Sequence, residues 1–129
     1  MADYTAKRIA EMEASFGGGF VKARAELGVT SFGIQVIQLP PDSVDYPEHD
    51  HLEDGQEEVF LALAGSGWIE LDGERVELDG DTLVRVGPAV KRKLCSGPQG
   101  LRALALGACP QQPYKIKPFS ELSGAGAGA

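Results

Sequence analysis

From residue 32 onward, short apolar runs alternate with turn formers, and this punctuation constrains the fold more than any other feature of the chain. The run 32–39 stops at Pro40-Pro41, and 57–64 closes on Gly65-Ser66-Gly67. Residues 68–71 lead into Asp72-Gly73, a strong two-residue hairpin signal, and 75–78 alternates polar and apolar side chains. Asp79-Gly80-Asp81 precedes 82–86, Gly87-Pro88 precedes 90–95, and Gly97-Pro98 precedes 101–106. Runs this short, closed at near-regular intervals by Gly, Pro and Asp, predict strands of a sandwich or barrel rather than helices. With 129 residues, the chain is long enough for one such domain to bury its own core.

The ends read differently. Ile9, Met12 and Phe16 recur at spacings of three and four, with Lys7, Arg8, Glu11 and Glu13 between them, which predicts a helix over 4–16 ended by Gly17-Gly18-Gly19. Residues 20–27 are compatible with strand or helix. Residues 110–119 are rich in Pro and read as an extended arm, and 123–129 (Ser-Gly-Ala-Gly-Ala-Gly-Ala) has nothing to bury and reads as disordered. The expected division is an N-terminal helix or arm over 1–28, a barrel over 29–119 and a flexible Gly/Ala tail over 120–129.

A net charge of −7 repels a phosphate backbone, and Lys91-Arg92-Lys93 is a lone basic run, so nucleic acid is not an expected partner. No apolar stretch nears the ~20 residues that span a bilayer, and no leader-like apolar segment is visible at the start. Cys95 and Cys109 are too few for a disulfide framework. The expectation is a cytoplasmic protein with reduced thiols and no membrane partner.

The chemistry-bearing segment is His49-Asp50-His51, which holds both histidines of the chain, followed by Glu58. Two residues apart on extended backbone, the imidazoles point to one side, and antiparallel pairing can bring Glu58 to them. Two neutral imidazoles and one carboxylate form a facial set suited to a first-row divalent ion with open coordination positions. The plainer alternative is a solvated acidic loop, because Asp45, Glu48, Asp50, Glu53 and Asp54 surround the histidines.

At these residues the chain resembles the cupin superfamily, in particular small single-domain cupins of the conserved-barrel type. Tyr46-Pro47-Glu48-His49-Asp50-His51 followed by Glu57-Glu58-Val59-Phe60-Leu61-Ala62-Leu63-Ala64-Gly65 is similar to the first cupin motif. Gly65 stands seven positions after Glu58 as that motif has it, whereas the six residues between His51 and Glu58 imply a loop lengthened at Asp54-Gly55. The stretch from Gly80-Asp81 to Arg92 resembles the second motif, and the similarity extends over about 30–108. It implies an all-β double-stranded β-helix, or jelly-roll barrel, with a short N-terminal helix or arm. It also implies a divalent ion (Mn, Fe, Ni or Zn) on His49, His51 and Glu58, and a homodimer formed through the segment around Phe20 to Ala25.

One departure from the family pattern matters. Where the second motif normally supplies a third histidine ligand, this chain has Arg92. A guanidinium has no lone pair to donate, and two unit charges ~5 Å apart at an effective dielectric near 20 interact by about 3 kcal/mol. Three readings stay open. Arg92 faces an anionic ligand bound at the metal; or Arg92 pairs with Glu58, no metal binds and the barrel holds a small organic ligand; or Arg92 points outward with Lys91 and Lys93. Phe60 and Ala62 share the parity of Glu58, and Leu94 that of Arg92, so all three are candidate pocket walls as well as ordinary core. Tyr46 is a candidate hydroxyl donor and Trp68 a candidate cap on the pocket mouth. Cys95, of opposite parity to Arg92, reads as structural. The functional expectation is a barrel that binds a small anionic organic ligand, with a metal-dependent isomerase, lyase or oxygenase as the alternative.

Overall fold

A computed structural model describes residues 2–124. Its strands are β1 (Ala14–Ser15), β2 (Phe20–Val21), β3 (Gly33–Leu39), β4 (Glu57–Leu71), β5 (Glu74–Leu78), β6 (Val84–Val86) and β7 (Arg92–Ala108), with one short helix, α1 (Ala23–Leu27), between β2 and β3. Pairing is antiparallel throughout, in the order β1-β2-β3-β7-β4-β5, and β6 also pairs with β4.

The predicted turns at Gly65-Ser66-Gly67 and Gly97-Pro98 do not end strands. Each lies inside one long strand, and the two meet: β4 and β7 change register between Ala62 and Ala64 and again between Gly65 and Gly67. The first half of β4 pairs with the last part of β7, and the second half of β4 with the first part of β7, so two strands supply both ends of the barrel. Gly65 is required here. Its φ is +77°, and a Cβ on it would lie 2.1 Å from the Gly100 carbonyl oxygen. The Asp72-Gly73 hairpin forms as predicted, both residues at positive φ and Leu71 opposite Glu74.

The register shift also reverses side-chain parity. Phe60 and Ala62 face inward before it, and Ile69 after it. Together with Ile37, Leu78, Val84, Val86, Leu94, Leu101, Ala103 and Ala105 they form the core.

The predicted helix over 4–16 does not form; Ile9–Glu11 makes a single 3-10 turn with no buried residue. An isolated amphipathic segment this short needs a surface to pack on. Here Phe16 stays 78% exposed, Ala14 and Ser15 pair with Val21 and Phe20, and the Glu13 amide donates to Glu26. The helix lies instead at α1, whose Ala23 and Arg24 are buried and which ends at Gly28, with φ +78°. At the other end, residues 109–117 form no regular element and Pro118–Ser120 makes a 3-10 turn. Of the expected flexible tail, 120–124 is described and engaged: Ser120 is buried and the Ser123 amide donates to the Glu13 carboxylate. Residues 125–129 lie outside the described residues.

Candidate metal and ligand site

The histidine segment runs alongside the start of β7. His49 and Arg92 exchange main-chain hydrogen bonds of 3.1 and 2.8 Å, and the His51 amide donates to Pro88 O at 2.8 Å. Extra length between His51 and Glu58 is taken up as a turn, closed by the Gly55 amide on His51 O at 2.7 Å with Gly55 at φ +70°. Glu58 enters from β4, opposite Val86 on one side and Gly107 on the other. Ligating atoms of His49, His51 and Glu58 all fall within 4.8 Å of one another.

Both imidazoles are oriented by acceptors. His49 Nδ1 lies 3.0 Å from Pro47 O, and His51 Nδ1 lies 3.0 Å from the Asp54 carboxylate. A carbonyl and a carboxylate only accept, so these contacts favour hydrogen on Nδ1 and leave Nε2 to ligate, against a longer approach of the Gln56 side-chain nitrogen to His51 Nδ1 at 3.3 Å. Tying the far nitrogen in this way is how proteins fix metal-binding histidines. His51 Nε2 sits 3.3 Å from Glu58 Oε1, within ion-pair reach, but it is buried and has no hydrogen-bond partner. Burial pulls the His51 pKa down, but contacts with Glu58 and then Asp54 outweigh it, and the net shift is upward. A proton and a metal ion therefore compete for the same nitrogen. Burial also raises the Asp54 pKa, yet hydrogen bonds from Lys117, the Gln56 amide and His51 hold the carboxyl down at about 2.

Arg92 is fully buried. Its Nη1 donates to Glu58 Oε1 at 2.7 Å, and its Nη2 donates to Gly87 O at 2.8 Å and Val90 O at 2.9 Å. The outward-pointing reading with Lys91 and Lys93 is thereby excluded, and the pairing with Glu58 is present. The donor set still fits a divalent ion, through two Nε2 atoms and a carboxylate with a second oxygen, but a fixed cation stands beside it. Arg92 Nε is buried without a partner.

Tyr46 packs at 5.8 Å from the His49 ring, itself 5.1 Å from that of His51. Burial first, then the charge of Glu58, pushes its hydroxyl pKa far up, with Arg92 opposing, so Tyr46 is a neutral donor beside the site. Phe60 and Leu94, the next inward positions from Glu58 and Arg92, are 1% and 0% exposed and belong with Ala62 to the packed core. Trp68 is not brought to the site. The register shift turns it to the outer face, where the Arg75 guanidinium stacks 3.8 Å from the ring centroid and Nε1 donates to Glu70. Depressions of about 420 and 340 Å³ lie elsewhere on the barrel, and neither is lined by His49, His51 or Glu58. Asp54 was hidden in sequence among five nearby acids; its place three residues after His51 was the one available signal.

This architecture is that of a cupin: the chain has the cupin barrel fold. A cupin protein from Bacteroides fragilis superposes with a TM-score of 0.69 at 23% identity, over 91% of this chain and 93% of that one. The cupin domain of an XRE family transcriptional regulator from Enterobacter cloacae superposes with a TM-score of 0.56 at 21% identity, over 65% of this chain and 87% of that one. A salicylate 1,2-dioxygenase from Pseudaminobacter salicylatoxidans aligns over 60% of this chain but 21% of its own, with a TM-score of 0.51 at 14% identity. No family sequence profile matches the chain, and no curated protein matches it in sequence. Among the described residues, no helix is long and apolar enough to cross a membrane.

Proposed function

We propose that this barrel binds a small anionic organic ligand at a divalent metal held by His49, His51 and Glu58. The observation that carries the reading is the pair of imidazoles tied at Nδ1, with the ligating atoms gathered around Glu58. Bound there, the ion would act as a Lewis acid toward an oxygen of the ligand. Arg92 pairs with Glu58 at 2.7 Å and adds positive charge beside the site, which favours an anion at the open positions. Tyr46 supplies a neutral donor, and Phe60, Ala62 and Leu94 are packed core beneath the site rather than a pocket wall. Binding is favoured over catalysis because Glu58 is already engaged as a ligand and as the partner of the Arg92 guanidinium, so it is not free to serve as a general base.

Metal analysis of tag-free protein should return close to one equivalent after growth with Mn, Fe, Ni or Zn. A metal-free protein after each supplement overturns the metal centre. Calorimetric titration of the loaded protein with small mono- and dicarboxylates tests the ligand class, and uniform silence across the panel would remove it. The reading places the protein in the cytoplasm, with Cys95 and Cys109 as buried free thiols. It also includes a homodimer through the N-terminal segment. Val21 to Arg24 are buried within the chain, so the contact falls to the exposed aromatics around Phe20, with Phe16 and Phe119 at centroid distances of 6.5 and 5.2 Å.

A further inference from the structure

The loop that presents His51 is gripped by a distant part of the chain. Residues 109–117 cross over it without regular structure and touch it at three points. Cys109 Sγ lies 3.3 Å from Asp54 O, and the Gln112 amide packs where a Cβ on Gly55 would be, at 3.3 Å. Lys117 Nζ sits 2.8 Å from Asp54 Oδ2, and His51 Nδ1 reaches both carboxylate oxygens, Oδ1 at 3.0 Å and Oδ2 at 3.2 Å, with the Gln56 amide also donating to Oδ1 at 3.1 Å. A fourth contact fixes the strap to the barrel: the Tyr114 hydroxyl fills the space over Gly33, 2.7 Å from where a Cβ would stand. Gly33 pairs with Gly107, which pairs with Glu58, so the strap is seated on the rim that carries the site.

We propose that Lys117 is a positioning residue of the metal centre, holding Asp54 so that His51 keeps its Nδ1 hydrogen and turns Nε2 toward Glu58. The inference rests on the metal reading above but does not need an ion to be present. Without Lys117, Oδ2 loses its charged partner and Asp54 is held, besides His51, by the Gln56 amide alone, so its hydrogen bond fixes the ring less firmly. Charge alone is not the point. Lys115, two residues earlier and exposed, forms no ion pair among the described residues and serves as the control.

The test compares the wild type with Lys117→Met, Lys117→Arg, Lys115→Met and Asp54→Asn. In metal-free protein, imidazole nitrogen NMR is simple because the chain has two histidines. At a pH well above the raised His51 pKa, wild type and Lys115→Met should show His51 as a single neutral Nδ1-protonated species, and Lys117→Met and Asp54→Asn should show a mixture of tautomers, with Lys117→Arg restoring the wild-type pattern. Zinc titration against a competing chelator should then weaken roughly tenfold for Lys117→Met, the lower end for groups that orient metal-binding histidines, with Lys117→Arg recovering most of the loss. An unchanged His51 spectrum in folded Lys117→Met overturns the proposal, whatever the metal does. A wild type that shows the spectrum but takes up no zinc overturns the metal reading and leaves the positioning role standing.

Discussion

With Nη1 on Glu58 and Nη2 on the carbonyls of Gly87 and Val90, Arg92 is held at three points in the interior. Removing it strands a carboxylate that is 14% exposed. Arg92→Met should therefore cost about 3 kcal/mol in urea denaturation, the penalty for breaking a buried ion pair rather than the net worth of the pair. Arg92→His should have two opposed effects: lower stability without metal, because the carbonyls lose their donor, and tighter zinc binding by chelator competition. Unchanged affinity would mean that the new imidazole cannot reach the ion. The resemblance to the cupin motif singled out position 92 in the sequence, but its partners were not legible. Glu58 lies 34 positions away, and the two carbonyl acceptors are main-chain groups that no sequence pattern records.

Among the elements, the hairpin at Asp72-Gly73 and the strand character of most apolar runs were legible because both depend on local chemistry. Continuity of β4 through Gly65 and of β7 through Gly97-Pro98 was not, because glycine serves a bulge as readily as a turn and only the partner strand decides between them. Trp68 was misplaced for the same reason. Gly65→Ala should destabilise the fold by about 3 kcal/mol, since both the φ and the Gly100 carbonyl oppose a side chain; thermal unfolding checks this. The short N-terminal helix is α1 rather than 4–16, whose apolar spacing has no surface to pack on. Instead that segment is fastened through Glu13, whose carboxylate accepts from Lys22 Nζ at 2.7 Å and from the Ser123 amide at 2.9 Å, and these bonds hold its pKa down to about 2. A depressed carboxyl stabilises fully above its ordinary value of 4.5, and that contribution is lost as the pH falls from there through about 2. The protection factor of the Ser123 amide, taken against its intrinsic exchange rate at each pH, should fall across that window, and Glu13→Gln should show low protection at neutral pH already.

For the whole molecule, the barrel depends on contacts far apart in sequence. The first residues reach the last through Lys22, which donates to both Glu13 and the Glu121 carbonyl, and the strap over 109–117 reaches the histidine loop. If the aromatic cluster of Phe16, Phe20 and Phe119 joins two copies, Phe16→Ser combined with Phe119→Ser should shift sedimentation from dimer to monomer with little change in unfolding midpoint, because both side chains are exposed. A monomeric wild type would remove that interface.

The Arg92–Glu58 pair has a consequence for how such a centre fills and empties. In many metal sites the departing ion leaves a bare carboxylate in a dry cavity, and the protein must protonate it, flood it or unfold. Here a counter-charge for Glu58 is built into the polypeptide, so an ion bound on the proposed ligands would not be needed to balance that carboxylate, and its release would not leave a bare charge in the interior.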